Sequence, residues 1–490
     1  MGHEVVVRRI LQILSALLLA YATPPCLSAV TADSPAAKIR AGHAALKDEK
    51  PAAALEFYQS ALATLPAGAR EDRFAATLGL ARAAAWLEKY ALAEENYRAA
   101  VTLASRDEDR AVASAGLAEM LNVADRPRAA FDLSFPLAPK SLANAVQAGR
   151  AALVLGWENR ARVALESQAS NITSEIAETR LGRTFRTQME EVRFRTAPVL
   201  STRFEYSEDS DGVRTYDTLL GLSMSAAMSQ VAPSPFRWDI AGRYQVVDDG
   251  QRHTEIPQIQ GGLSFRPSED LKVTLGAGVA NAGDWTYPLA AAQAAYRRSD
   301  DWGLEFSAEY DAVKTNEALE RHIKYYTATI GGDFRLGNTV FAGAIFRQWF
   351  SDDNVRTGGV ARITSPSFLP FGPGSPAVAL QLYARAFENS RTDVVGYFHP
   401  KRYDEERLNL LLSTRVSPSW VLRAVAGVGK QSIEGERSST FNTDATISGQ
   451  LPRAVRVDIS VRHGDSAAFS SSGLGYSQTS VSMALALPLQ

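Results

Sequence analysis

The chain has 490 residues, of which 46% are hydrophobic and 22% charged, with 52 Lys and Arg against 54 Asp and Glu and a formal net charge of -2. These values exclude a disordered, collagen-like or supercharged chain and suit two or three domains, each with its own core. A near-neutral balance gives no general attraction to nucleic acid, which needs clustered Lys and Arg against phosphates, so no nucleic-acid partner is expected.

The only long apolar stretch opens the chain. Arg8 and Arg9 precede an apolar run from Ile10 to Ala22, and Thr23-Pro24-Pro25 breaks it before a set of small residues. Positive, apolar, then small is the order of a secretory signal, and the run is shorter than the ~20 residues of a spanning helix. A signal over 1–32 is expected, with cleavage after Ala32 or Ala29. Pro25 stands where a small residue should precede a lipidated cysteine, which argues against a lipid on Cys26. Cleavage beyond Cys26 leaves no thiol for a disulfide or for metal ligation.

Residues 33–190 are rich in Ala, Leu, Glu and Arg, with apolar residues at helical spacing, as in Ala83, Trp86, Leu87 and Tyr90. One pattern is written twice. Gly42, Ala54, Tyr58, Ala61 and Pro66 are followed by Ala81, Ala93, Tyr97 and Ala100, with Ser105 at the place of the proline. Two helices of a hairpin approach closely only where small side chains meet; the aromatic plugs the groove to the next hairpin, and proline ends the second helix. The pattern resembles the tetratricopeptide repeat. Ala118 with Ala130, and Gly149 with Ala161 and Leu165, keep the small positions without the aromatic. Three to four helical hairpins are therefore expected, or failing that a generic Ala-rich bundle, and Trp86, Tyr58 and Tyr97 are packing residues.

From about 195 to 490 the period switches to two. In 236–246, Phe236, Trp238, Ile240, Tyr244 and Val246 share one face and Arg237, Asp239, Arg243 and Gln245 the other. In 302–311, Trp302, Leu304, Phe306, Ala308 and Tyr310 oppose Glu305, Ser307, Glu309 and Asp311; Val455, Val457, Ile459 and Val461 oppose Arg456, Asp458, Ser460 and Arg462. About sixteen such runs follow one another, from 197–206 and 214–227 to 453–464 and 473–488, separated by turns such as Leu336-Gly337-Asn338 and Ser417-Pro418-Ser419. Many runs are twice the length of a soluble strand, which suits a transmembrane antiparallel β-barrel better than a secreted sandwich. Phe236, Tyr287, Trp302, Trp349, Phe350 and Trp420 sit towards strand ends, where interfacial girdles need aromatics. The end of the chain, Leu487-Pro488-Leu489-Gln490, departs from the aromatic finish usual in such barrels.

The expected fold is thus α + β in two domains, an N-terminal tetratricopeptide-like α-solenoid and a C-terminal barrel of about sixteen strands. The order of signal, repeats and barrel resembles that of the outer-membrane exopolysaccharide exporters, such as cellulose synthase C and the poly-N-acetylglucosamine exporter. Gly396, Tyr397, Phe398, Pro400 and Tyr403 are similar to the Gly-Tyr-Tyr/Phe-Ser-Pro-x-x-Tyr segment of the cellulose synthase C barrel, with His399 at the serine. The resemblance implies a channel in the cell outer membrane. It would pass an exopolysaccharide chain, with the repeats in the periplasm docking an inner-membrane synthase or periplasmic proteins. It implies no enzyme activity and no cofactor. The surface lipoprotein assembly modulators share the order and are the alternative.

A sugar chain crosses a membrane through a wet lumen lined with hydrogen-bonding side chains. The polar faces nominate Arg203, Glu205, Arg237, Asp239, Arg243, Glu305, Glu309, Asp311, Arg407, Arg415, Arg423, Arg456, Asp458 and Arg462 as lining residues, or as salt-bridge braces of the wall. Pro366, Pro370, Pro373 and Pro376 make 365–376 a long loop able to cover or enter the pore, with Phe368 and Phe371 as stacking faces for a sugar or anchors on the rim. An outer-membrane hydrolase is a second alternative, through His463-Gly464-Asp465-Ser466. Residues an odd number apart on a strand point to opposite faces, so His463 and Ser466 converge only around a turn. His253, His322 and His399 are too scattered to nominate a metal site.

Overall fold

The computed structural model describes residues 34–226, 232–368, 376–465 and 477–489. The expected signal with Cys26, the loop residues Pro370, Phe371 and Pro373, and Ser466 lie outside the described residues.

Among the described residues ten α-helices precede the barrel: α1 (Pro35–Lys47), α2 (Pro51–Thr64), α3 (Arg70–Trp86), α4 (Tyr90–Leu103), α5 (Asp107–Val123), α6 (Pro127–Ser134), α7 (Leu142–Leu155), α8 (Glu158–Glu166), α9 (Ser174–Glu178) and α10 (Arg180–Thr196). Pro35, Pro51 and Pro127 stand in first turns, where the missing N–H costs nothing. Helices pack against their sequence neighbours, and the turns inside the first three hairpins repeat one device: Glu49, Glu88 and Asp125 sit at φ 58°, 58° and 56°. A fourth turn uses Gly156 at φ 68°. Ala54, Tyr58, Ala61, Ala81, Ala93, Tyr97 and Ala100 are all buried, and Pro66 follows the end of α2. The aromatic plug needs more than Gly42. A Cβ on Gly42 would sit 2.7 Å from the Tyr58 ring and one on Gly79 closer still, while Gly116 leaves the same space for Tyr97.

Sixteen strands follow among the described residues. They are β1 (Val199–Asp209), β2 (Arg214–Ala226), β3 (Phe236–Asp248), β4 (His253–Phe265), β5 (Leu271–Ala282), β6 (Trp285–Tyr296), β7 (Trp302–Ala312) and β8 (Lys324–Leu336). Then come β9 (Thr339–Phe350), β10 (Val355–Thr364), β11 (Ala377–Asn389), β12 (Arg402–Ser417), β13 (Trp420–Ile433), β14 (Glu436–Gln450), β15 (Arg456–Gly464) and β16 (Gln478–Pro488). Each pairs antiparallel with its sequence neighbours, and β1 closes on β16 from Val199↔Pro488 to Asp209↔Gln478. Leu487 and Pro488 thus complete the closure without a terminal aromatic. Expected boundaries shift at β15, which starts at Arg456 rather than 453 because Pro452–Ala454 forms a 3-10 turn, and at β16, which starts at Gln478. A short helix unforeseen from the sequence, α11 (Asn316–Glu320), interrupts the β7–β8 connection.

The two faces of the wall differ. Leu220, Ile240, Leu304, Ile330, Ile345, Leu382 and Val428 stand exposed on the outer face, Leu304 to 54%. An apolar belt of this kind around a closed barrel has no reason to face water, and closure satisfies every strand edge, as a bilayer demands. Phe236 with Phe265, Tyr296 with Trp302, and Phe334 with Phe341 pair near the end that carries the helices. Tyr206 with Tyr216, and Tyr326 with Trp349, pair near the other. Tyr287 and Phe350 do not belong to these girdles. Both are buried on the inner face, Tyr287 against Trp285 and Phe350 against Tyr397.

Candidate functional site

The interior of the barrel gathers the polar set. Strand parity puts all fourteen nominated residues on the face opposite the apolar belt, where most of them find a partner. Arg203 (3.6 Å) and Arg243 (Nε, 2.9 Å) both reach Asp217, a buried carboxylate on β2 that the strand alternation did not nominate. Arg407 pairs with Glu405 at 3.2 Å, Arg462 with Asp444 at 2.8 Å, and Asp311 with Lys314 at 2.6 Å. The Gln293 amide donates to Glu305, and Tyr325 Oη donates to Glu309 at 3.0 Å. Two others leave the lumen for the helices: Arg237 donates to the Arg195 carbonyl at 3.0 Å, and Arg456 pairs with Glu191 and lies 3.5 Å over the Phe194 ring. Asp239 packs where a side chain at Gly262 would collide with it. Arg415 and Arg423, among the described residues, meet no carboxylate.

The mouth distant from the helices is crossed by two inward-folded connections. Thr315 caps α11 by accepting from the Ala318 N–H at 3.2 Å, and its hydroxyl donates to the Gly396 carbonyl. Gly396 has φ 98° and lies so close to α11 that a Cβ would sit 2.9 Å from Ala318 N, which only glycine accommodates. Tyr397 stacks on Phe350 at 4.4 Å; its hydroxyl donates to Asp352 (2.9 Å) and accepts from Asn354 Nδ2 (3.1 Å). Burial pushes that hydroxyl well above the usual tyrosine range. Asn354, fully buried, also donates to Asn389 Oδ1 at 3.2 Å, while Asn389 donates to the Pro400 carbonyl at 2.6 Å. Phe387 stacks on Tyr403 at 4.9 Å, with Phe398 edge-on to both. The segment from Gly396 to Tyr403 is thus a folding device that pins its loop inside the barrel.

On the opposite rim, Asn316 donates to the Arg252 carbonyl at 3.0 Å and Arg252 pairs with Glu320 at 3.2 Å. Burial there raises the Asp249 carboxyl, but bonds from Asn316, Arg252 and Gln251 outweigh it and hold the group at about 2. Since β4 and β12 stand on opposite sides of the ring, these contacts form a bridge across the mouth. Beneath it lies a cavity of about 900 Å³ lined by Lys314, Tyr325, Phe350, Arg356 and Tyr397 among others. The signal for this bridge was Gly396 beside aromatics in a stretch too polar for a strand; which way it folds lies outside any local pattern.

The other end carries the helices. Arg128 pairs with Asp270 at 2.8 Å, donates to the Arg297 carbonyl at 2.8 Å and lies over Trp157, whose Nε1 donates to the Glu269 carbonyl at 3.2 Å. The N–H groups of Arg128 and Ala129, in the first turn of α6, hold the Asp300 carboxylate at 2.9 and 3.0 Å. Arg160 pairs with Glu269, Arg335 with Asp125, and Asn159 reaches the Ala232 carbonyl. Arg150 on α7 is lowered from its ordinary value by burial and by Arg415 nearby, so the helices extend over the rim from β3 to β15. β10 ends and β11 begins at this same end, with Phe368 exposed. His463 bonds Thr479 Oγ1 at 2.9 Å through Nδ1 on the outer face of β15.

No protein-family model matches this sequence, and no curated protein does. Solved structures do share the barrel. A bacterial polysaccharide outer membrane secretin is 13% identical over 60% of this chain and 99% of its own, with a TM-score of 0.50. CdiB from Acinetobacter baumannii is 11% identical over 59% of this chain and 60% of its own, at 0.38. Pseudomonas aeruginosa OccK5 (OpdH) is 10% identical over 61% of this chain and 99% of its own, at 0.34. At such identities likeness extends to the fold alone, and of these three the first carries that argument: the chain has the closed-barrel fold of an outer-membrane protein.

Proposed function

We propose that this protein is an outer-membrane channel that exports an exopolysaccharide, its helical domain facing the periplasm and docking the synthase or periplasmic proteins that deliver the chain. The observation that carries the reading is the inner wall. Its polar face runs the height of a closed barrel from the helical junction to an aromatic-lined mouth, which suits a hydrated sugar chain crossing with no bond made or broken. The even strand number puts both ends of the barrel chain on the side of the helices. A similar fold in a polysaccharide secretin supports the reading, as do the signal expected over 1–32 and the Gly396 to Tyr403 segment. The repeats, of tetratricopeptide type in this reading, offer a concave docking surface and no catalytic pocket. The bridge across the far mouth narrows the exit.

Deleting the gene is expected to abolish secreted polymer and leave it in the periplasm, while His463→Ala leaves secretion unchanged. The mature protein should migrate differently boiled and unboiled on a gel, as a detergent-resistant barrel does. Normal polymer secretion together with loss of a surface lipoprotein would move the assignment to an assembly modulator.

A further inference from the structure

We infer that the polymer is anionic, and that one wall of the lumen is a track for its acidic groups; the inference rests on the export reading and deepens it. On β10 to β13 the inward positions carry Arg356, Arg362, Arg385, Arg407, Arg415 and Arg423 against a single inward carboxylate, Glu405. On β7 the inward charges are all acidic: Glu305, Glu309 and Asp311. On these two stretches of wall charge is segregated, whereas β1 to β3 and β14 to β15 pair theirs off, Arg203 and Arg243 with Asp217 and Arg462 with Asp444, as bracing would have it.

The arginines also stand at defined heights. Direct cross-strand partners share a face, and the register runs Arg362↔Tyr383↔Arg407 across three neighbouring strands. Arg356 and Arg385 lie on the side of the far mouth, over the Phe387 ring at 4.8 and 5.5 Å. Towards the helices, Arg423 is level with Ser413 and Arg415 with Val421. The ladder thus spans most of the length of β12, roughly 3.4 Å per residue.

Two features make this a binding surface. Among the described residues Arg362, Arg415 and Arg423 have no ion-pair partner, and all three are exposed to the lumen. A guanidinium in a water-filled, low-dielectric-walled channel without a fixed counter-charge focuses a positive potential on whatever passes. Its planar fork fits a carboxylate or sulfate in two parallel hydrogen bonds. A ring stands among the cations at mid-height, Arg407 lying 4.5 Å from the Tyr383 centroid and Arg362 level with it, so a pyranose face has an apolar platform beside these charges. Between the arginines Asn409 donates to Gln381 Oε1 at 3.1 Å, an amide rung suited to hydroxyl groups. Repeating acid, apolar face and hydroxyl is the chemistry of a uronic-acid-bearing polysaccharide. A neutral glucan needs the rings and amides but not six arginines, and a cationic polymer would be repelled by them.

The test uses the full-length protein in planar bilayers at low salt, with hexagalacturonate, maltohexaose and hexaglucosamine added from the helical side. Hexagalacturonate should interrupt the current at about tenfold lower concentration than maltohexaose, and this preference should shrink as KCl is raised. The double variant Arg362→Gln, Arg423→Gln should abolish the preference, because neither side chain holds a contact needed for folding, whereas Arg437→Gln on the outer face should keep it. Should the bridge hold the pore non-conducting, calorimetric titration of hexagalacturonate into the protein in nanodiscs reads the same site, and absence of binding overturns the track. Equal block by hexagalacturonate and maltohexaose, stronger block by hexaglucosamine, or a preference that survives the double variant would overturn it while leaving export standing. An open conductance that none of the three saccharides perturbs would overturn export and track together.

Discussion

The two ends of the barrel are closed by different chemistry. At the far mouth the half of the bridge on the β12 side is held by stacked rings, Tyr397 on Phe350 and Phe387 on Tyr403, and by buried amides on Asn354 and Asn389. At the helical end the contacts are guanidinium groups on carboxylates and carbonyls: Arg128 on Asp270, Arg160 on Glu269, Arg335 on Asp125 and Arg456 on Glu191. Packed rings and buried amides fix one geometry and are indifferent to salt. Partly exposed ion pairs are weaker, screened and exchangeable, which suits a junction that receives partners.

Tyr397→Ala strikes the far end hardest. Removing a buried aromatic of this size costs about 3–5 kcal/mol, and here it also leaves Asn354 Nδ2 and Asp352 without the hydroxyl they share. The bridge should open: single-channel conductance of the full-length protein rises, and hydrogen exchange speeds up over 390–401 but not over 124–129. Tyr397→Phe keeps the stack and should lose only about 1–2 kcal/mol. Unchanged conductance and exchange in the alanine variant would mean that the stack does not hold the bridge.

An apolar belt separates the two ends. Leu304→Arg on the outer face of β7 should cost about 2–4 kcal/mol near the midplane, while Ser307→Arg on the inner face is tolerated. Urea unfolding in lipid vesicles measures both, and equal damage would remove the facing assignment on which the two ends are defined.

How far the sequence carries depends on whether the signal is periodic. β9 runs over 339–350 as its alternation predicts, because a half-buried strand writes its environment into every second residue. The inward parity of the nominated lumen residues is legible for the same reason. Their partners are not: Asp217 becomes the shared acceptor of Arg203 and Arg243 only once β1, β2 and β3 are in register. Tyr287 and Phe350 stand at strand ends like girdle aromatics, and only parity against neighbouring strands turns them inward. α11 is too short for periodicity and is buried against Gly396 and the wall, a contact between residues far apart in sequence. In the helical domain Tyr58 and Gly42 were legible as a small-aromatic pair, whereas Gly79, which faces the same ring from α3, lies outside that repeat pattern.

Arg128→Ala is the corresponding cut at the helical end. It removes an ion pair to Asp270, two carbonyl contacts and the cation over Trp157. Hydrogen bonds to charged groups are worth about 1.5–3 kcal/mol, and the backbone bonds to Asp300 remain, so the loss stays below that of Tyr397→Ala. Limited proteolysis should cut the 124–160 region faster, with the far mouth and the heat shift of the barrel unaffected. A change in conductance as large as that of the bridge variant would show that the junction, rather than the bridge, sets the opening.

Salt should separate the two ends with the smallest effect and the least perturbation. Raising NaCl from 0.1 to 1 M shortens the screening length from about 10 to about 3 Å. Of the junction pairs, Arg335 with Asp125 has most to lose, since the Asp125 side chain is 73% exposed, and such pairs carry about 1 kcal/mol or less. Hydrogen exchange over 124–129 should therefore rise modestly at high salt, and in Arg335→Gln, where this pair is already gone, it should be raised at low salt and respond less to added salt. The bridge residues 350–356 and 394–403 should exchange equally at both salts, because the stacked rings and buried amides that hold them carry no net charge and the Asp352 contact to Tyr397 is made with a neutral hydroxyl. Salt-dependent exchange at the bridge would place Arg356 and Asp352, rather than the aromatic stack, at the centre of its stability.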